Sequence, residues 1–137
     1  MPQSAMPAWL DRLFGRLTPG RSLAERGENL AARFLRDQGC KIIIRNYRCP
    51  VGEIDIVARD GDTLVFVEVK TRASDEPTPE EQVNSAKRRQ LTRVAKTYLG
   101  RYGFPPPPAR FDVVAVIWPP GQEPQIRHTK SAFEATD

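Results

Sequence analysis

The segment from Glu53 to Lys70 constrains this chain most, because it reads as two alternating strands joined at Asp60-Gly61, with acids set into both. Side chains alternate across a strand. Glu53, Asp55 and Val57 should therefore share one face of the first strand, and Ile54, Ile56 and Ala58 the other. On the second strand Leu64, Phe66, Glu68 and Lys70 share a face, opposite Val65, Val67 and Val69. With Asp60-Gly61 as the loop, Arg59 pairs with Asp62, Val57 opposes Leu64, Asp55 opposes Phe66 and Glu53 opposes Glu68. Directly opposed residues project to the same side, so Asp55 and Glu68 become diagonal neighbours roughly 7–8 Å apart at the backbone. Their carboxylates can converge, with Lys70 beside them. A one-residue bulge in either strand would break this parity.

The valine and isoleucine face must be buried, and Leu64 and Phe66 imply that the acidic face is partly covered as well. Two carboxylates about 4 Å apart repel by about 4 kcal/mol at an effective dielectric near 20. Proteins carry that cost mainly where a cation or a shared proton offsets it. Oxygen ligands with no histidine or cysteine nearby favour a hard cation, Mg²⁺ or Mn²⁺. Such a cation polarises a phosphate and acidifies bound water. Lys70 could orient that water or stabilise charge on the phosphate. The same spacing also describes an amphipathic hairpin with a solvated charged face.

Around the hairpin the pattern is α-β-β-β-α-β-β. Ser22 and Glu25 form a capping box for a helix running to about Gln38, where Gly39 stops it. Its apolar stripe is Leu23, Gly27, Leu30, Ala31, Phe34 and Leu35, and Glu28 lies at the stripe's edge. Lys41 to Arg48 read as a strand ended by Pro50. Thr78-Pro79-Glu80-Glu81 reads as the start of a second helix that continues to Gly103, with Leu91, Val94, Ala95, Tyr98, Leu99 and Tyr102 on its apolar face. Pro105 to Pro108 form a stiff spacer. Arg110 to Trp118 is a strand, Gln125 to Thr129 a short last one, and the tail after Lys130 reads as frayed. Residues 1–21 read as an extension in which Trp9, Leu10, Leu13, Phe14 and Leu17 follow helical spacing. The domain proper is 22–137, an α/β fold with a mixed sheet flanked by helices.

Length suits one such domain, and 39% hydrophobic beside 28% charged residues is too apolar for a disordered chain. No apolar run approaches the roughly 20 residues that cross a bilayer. The start has no basic region ahead of an apolar block, which predicts a cytoplasmic protein. Cys40 and Cys49 match no zinc spacing and are expected to stay reduced. A net charge of +4 permits a nucleic-acid partner without demanding one.

Taken in order, Gly27-Glu28, Arg45-Asn46-Tyr47-Arg48, Gly52-Glu53-Ile54-Asp55, Phe66 through Arg72, and Arg110-Phe111-Asp112-Val113 resemble the PD-(D/E)xK nuclease superfamily. More narrowly, the chain resembles the bacterial YraN-like family, related to archaeal Holliday junction resolvases. These segments span most of residues 22–118. The resemblance implies a restriction-endonuclease-like fold, a metal held by Asp55 and Glu68 with the Val69 carbonyl, and a catalytic Lys70. Glu28 matches the first-helix acid of the resolvase-like branch and joins the catalytic set. Ile54 stands where the superfamily's name has proline.

The expected activity is Mg²⁺- or Mn²⁺-dependent hydrolysis of DNA phosphodiesters, in structured or branched DNA by analogy with resolvases. The alternative is a non-catalytic nucleic-acid-binding module on the same fold. Arg45, Arg48, Arg72 and Lys87 are candidate nucleic-acid contacts, Lys87 from the edge of the second helix's buried face. Glu53 is either a supporting acid or solvated. Asp112, an acid inside an apolar strand, is expected to bind Arg110 or backbone rather than metal. Cutting a junction needs two active sites, which predicts a homodimer.

Overall fold

A computed structural model describes residues 22–136. The helical spacing between Trp9 and Leu17 lies outside the described residues. The order is α1 (Leu23–Asp37), β1 (Lys41–Cys49), β2 (Gly52–Asp60), β3 (Thr63–Arg72), a 3₁₀ turn (Pro79–Gln82), α2 (Ser85–Leu99), β4 (Ala109–Ile117) and β5 (Gln125–Phe133). The strands form one sheet in the order β1-β2-β3-β4-β5, antiparallel throughout except for the parallel β3–β4 pair. A parallel neighbour needs a crossover, and α2 supplies it. This is the α/β arrangement expected from the sequence.

The helices cover opposite faces of the sheet. Ala31, Ala32 and Leu35 of α1 pack with Ile56, Ala58, Val65, Val67, Val69, Val114 and Val116. Leu91, Val94, Ala95 and Tyr98 of α2 pack with Ile54, Val57, Leu64, Phe66, Phe111 and Val113. Central β3, covered on both sides, therefore reads as a nearly continuous apolar run. Helix α1 begins as predicted: Ser22 Oγ accepts from Glu25 N–H at 3.1 Å, and Gly39 leaves it with φ 96°. Gly27 is the point of closest approach, since a Cβ there would stand 1.8 Å from Thr71 Oγ1 of β3.

Four expectations differ from the structure. Thr78 caps only the 3₁₀ turn, its N–H and hydroxyl each 2.8 Å from Glu81 Oε2. Val83 then leaves helical geometry and is buried, and Asn84 caps α2 by accepting from Lys87 N–H at 3.0 Å. Helix α2 also stops at Leu99, short of Gly103. The chain after Lys130 stays in β5 as far as Phe133, because Ser131 N–H bonds Asp112 and the Phe133 ring stacks on Phe111 at 4.6 Å. Finally, Asp60 pairs with Thr63, so the hairpin loop is Gly61-Asp62. Asp60 remains in the strand, where its carboxylate accepts from Arg110 Nη1 at 3.0 Å.

Gly27→Ala should cost about 1–3 kcal/mol, the scale of overpacking a tight contact, while Gly103→Ala, with nothing within 4 Å, should cost little. Denaturant unfolding of both variants measures this. Equal stabilities would contradict the close α1–β3 contact.

Candidate functional site

Moving the loop by one position shifts the hairpin register by two residues. Val57 meets Phe66, and Ile56 meets Val67. Continued one step, this register puts Asp55 directly opposite Glu68 rather than diagonal to it, and Glu53 is no longer its partner. The regular ladder ends at that step. Val69 N–H, which would otherwise bond a main-chain carbonyl of β2, donates to Asp55 Oδ2 at 2.7 Å.

The predicted alternation also fails here. Ile56 and Ala58 pack under α1, yet Ile54 packs under α2 with Val57. Two residues that a flat strand would keep on one face lie on opposite faces. The facing position on β1 shows the same twist, because Asn46, bracketed by the pairs Arg45–Ile56 and Tyr47–Ile54, has φ 55°. Asparagine tolerates that conformation better than most residues. The strands thus turn over at Asp55, and its carboxyl points toward β3 instead of squarely into either helix layer.

Around this opening the structure gathers the predicted acids. Asp55 and Glu68 are close enough for a carboxyl–carboxyl hydrogen bond. Glu68 is 5% exposed. Burial, then the charge of Asp55, push its pKa from the ordinary 4.5 up to about 7, against the pull of Lys87 and Lys70. Burial also raises Asp55, opposed by the Val69 N–H bond. Glu28, half-buried on α1, is raised by burial and by facing Asp55, and Arg45 pulls it back. Lys70 Nζ stands 3.6 Å from Glu68 Oε2, and Lys87 Nζ, from α2, stands 3.4 Å from the same oxygen. Helix α1 thus supplies one member, the hairpin three and α2 a fifth.

The other candidates lie outside this cluster of bonds and ion pairs, although Glu53 raises both Glu28 and Asp55, and Arg45 opposes it at Glu28. Arg48 pairs with Glu53 at 3.3 Å on the exposed surface. Arg72 bonds the Thr71 carbonyl at 2.7 Å and the Gln82 side chain, tying β3 to the 3₁₀ turn. Arg45 lies on β1, its Nε buried without a hydrogen-bond partner. Cys40 and Cys49 are free thiols. Fully buried Asp112 accepts from Arg110 Nε at 3.0 Å and Nη2 at 3.2 Å, and from Ser131 N–H at 3.0 Å; His128 Nε2 is 2.8 Å away. Burial alone would raise its pKa, but these partners hold it below the ordinary value. The sequence reading anticipated Arg110 and a backbone bond but not His128, which only the β4–β5 register brings near.

The donor set suits a hard cation. Two carboxylates offer oxygen only, and the N–H and C=O of one strand residue point to the same edge. The Val69 carbonyl therefore lies on the edge of β3 from which its N–H reaches Asp55. Mg²⁺ characteristically takes one or two carboxylates and completes its shell with water and phosphate. Among the described residues no three His, Cys, Asp or Glu side chains form a metal cage. A cavity of about 580 Å³ beside α2, lined by Phe66, Thr92, Leu99, Phe111 and Phe133, includes none of the site's charged groups.

The raised Glu68 pKa has a consequence for stability. Between about pH 4.5 and 7 the folded chain keeps a proton on Glu68 that the unfolded chain has lost. The Glu68 contribution to folding stability must then fall as pH rises through that window, by about 3 kcal/mol. Urea unfolding of metal-free protein at pH 5 and 8 should show the fall, and Glu68→Gln should flatten it. A wild-type chain whose Glu68 contribution grows toward pH 8 would contradict the buried, shared-proton arrangement.

Residues 27–116 match the model of the uncharacterised protein family UPF0102, a span that includes every charged group of the site. The chain is 45% identical to a UPF0102 protein of Nocardia farcinica over 122 residues, 88% of this chain and 96% of that one. It is 50% identical to UPF0102 protein STH1475 of Symbiobacterium thermophilum over 116 residues, 84% and 98% of the two chains. A UPF0102 protein of Moorella thermoacetica is 51% identical over 104 residues, 75% and 86%. The chain therefore belongs to the UPF0102 family, the YraN-like group that its residue pattern resembles.

Proposed function

We propose that the protein is a Mg²⁺- or Mn²⁺-dependent endonuclease that hydrolyses DNA phosphodiester bonds. The observation that carries this reading is the meeting of Asp55 and Glu68 at the point where the β2–β3 ladder opens, beside the β2-facing edge of Val69 and the ammonium of Lys70. Buried acids with raised pKa values are a costly arrangement for a merely structural hairpin. A bound hard cation would polarise the scissile phosphate and acidify a water molecule.

Each side chain has a definite task in this reading. Asp55 and Glu68 hold the cation, with the Val69 carbonyl as a third oxygen. The Val69 N–H fixes the orientation of Asp55. Glu28 adds negative charge beside Asp55, which strengthens attraction for a divalent ion. Lys70 turns from Glu68 to a phosphoryl oxygen and stabilises the charge that develops there. Arg45, which acts on Glu28, and the exposed Arg48, Arg89 and Arg93 offer phosphate contacts. Structured or branched DNA is the substrate class proposed, and cutting both strands of a junction would require a homodimer.

A second reading, a nucleic-acid-binding module without cleavage, draws support from the exposed basic residues Arg48, Arg89 and Arg93, which could hold phosphates without any metal. The two readings separate in one assay. Linear duplex, single-stranded and four-way-junction DNA are incubated with the protein and Mg²⁺ or Mn²⁺. The nuclease reading expects cleavage of at least one substrate and a fall of about 100-fold or more in Asp55→Ala, the scale of losing a transition-state charge partner. DNA that is bound but never cut would establish the module instead.

A further inference from the structure

One oxygen, Glu68 Oε2, is shared by two ammonium groups from different elements, Lys70 of β3 and Lys87 of α2. Lys87 gains nothing from its helix. It sits in the first turn of α2, where no acidic residue balances the dipole and a cation is disfavoured. The pairing with Glu68 offsets that placement in the metal-free chain. A divalent cation taking Glu68 would compete with both ammoniums for the same lone pairs and repel them at short range. Both side chains have somewhere to go, being 21% and 29% exposed. A phosphate entering over Glu68 then meets Lys70 from the strand side and Lys87 from the helix side.

We propose that Lys87 is a second phosphate-binding lysine of this site, released from Glu68 when a divalent cation takes that carboxylate. The proposal rests on the metal-dependent nuclease reading above and adds a substrate-binding residue to it. It also gives the two lysines different origins of motion. Lys70 shares its strand with Glu68, whereas Lys87 approaches from the opposite wall and brackets the phosphate.

The test compares the full chain with Lys87→Met and Lys87→Arg, reading binding of a short fluorescent DNA duplex by anisotropy over a range of salt, with Ca²⁺ and without divalent cation. Calorimetry with Ca²⁺ checks occupation of the site. With Ca²⁺, Lys87→Met should bind about tenfold more weakly and lose about one unit of the slope of log affinity against log salt. Lys87→Arg should restore most of both. Without the cation the difference should shrink, since Lys87 then stays on Glu68. Wild-type binding with an indifferent Lys87→Met, or an equal loss with and without Ca²⁺, would overturn this proposal alone. Wild-type protein that binds neither Ca²⁺ nor DNA would overturn the nuclease reading and this proposal with it.

Discussion

The bond from Val69 N–H to Asp55 Oδ2 organises the molecule's chemistry. A hairpin normally satisfies its inner backbone groups by main-chain pairing. Here the ladder stops at Ile56–Val67, and a side chain takes over the next donor. That single exchange lets β2 turn over at Asp55, sends Ile54 to the face opposite Ile56, and leaves the β2-facing edge of β3 open at Val69. Asn46 across on β1 absorbs the same twist in its left-handed backbone. Because the opening lies between the two helix layers, both can reach it. Glu28 comes from α1, pressed close to β3 by Gly27 on Thr71, and Lys87 comes from α2.

Two buried carboxylates in this sheet show opposite solutions to one problem. Asp112 and Glu68 lie near each other in the β3–β4 register, where Val67 faces Asp112 and Glu68 faces Val113. Asp112 is surrounded by donors from Arg110, Ser131 and His128, and its pKa is lowered below the ordinary value. It locks β5 to β4 and carries no spare valence. Glu68 has two lysines on one oxygen and a carboxyl neighbour, and burial drives its pKa up to about 7. A satisfied buried acid is a structural part, whereas a buried acid with a raised pKa beside a second carboxyl and two ammonium groups is the kind of arrangement that clusters at functional sites.

Much of this was legible in the sequence. The element order, the capping box at Ser22 and the opposed faces of β3 follow from local chemistry and periodicity, which depend on near neighbours. Asp55, Glu68 and Lys70 were brought to one place by alternation and a turn signal, although the turn was placed one residue early. The shift of two residues it caused preserved the parity of the strands, so the acids still met. Parity itself failed at Ile54, because the twist at Asp55 depends on a bond to Val69 from the neighbouring strand. His128 on Asp112 and Lys87 on Glu68 are likewise products of strand register and helix docking. The Asn84 cap was present in the sequence and was masked by the stronger-looking box at Thr78, which closes only a 3₁₀ turn.

Whether the opening at Asp55 takes a hard cation decides between a metal site and a structural one. Crystals grown or soaked with Mn²⁺ and measured for anomalous scattering test this directly. The predicted result is one anomalous peak per chain bonded to Asp55, Glu68 and the Val69 carbonyl, with Lys70 and Lys87 drawn away from Glu68 Oε2. An empty opening in Mn²⁺-soaked crystals, with both ammonium groups still on Glu68, would contradict it.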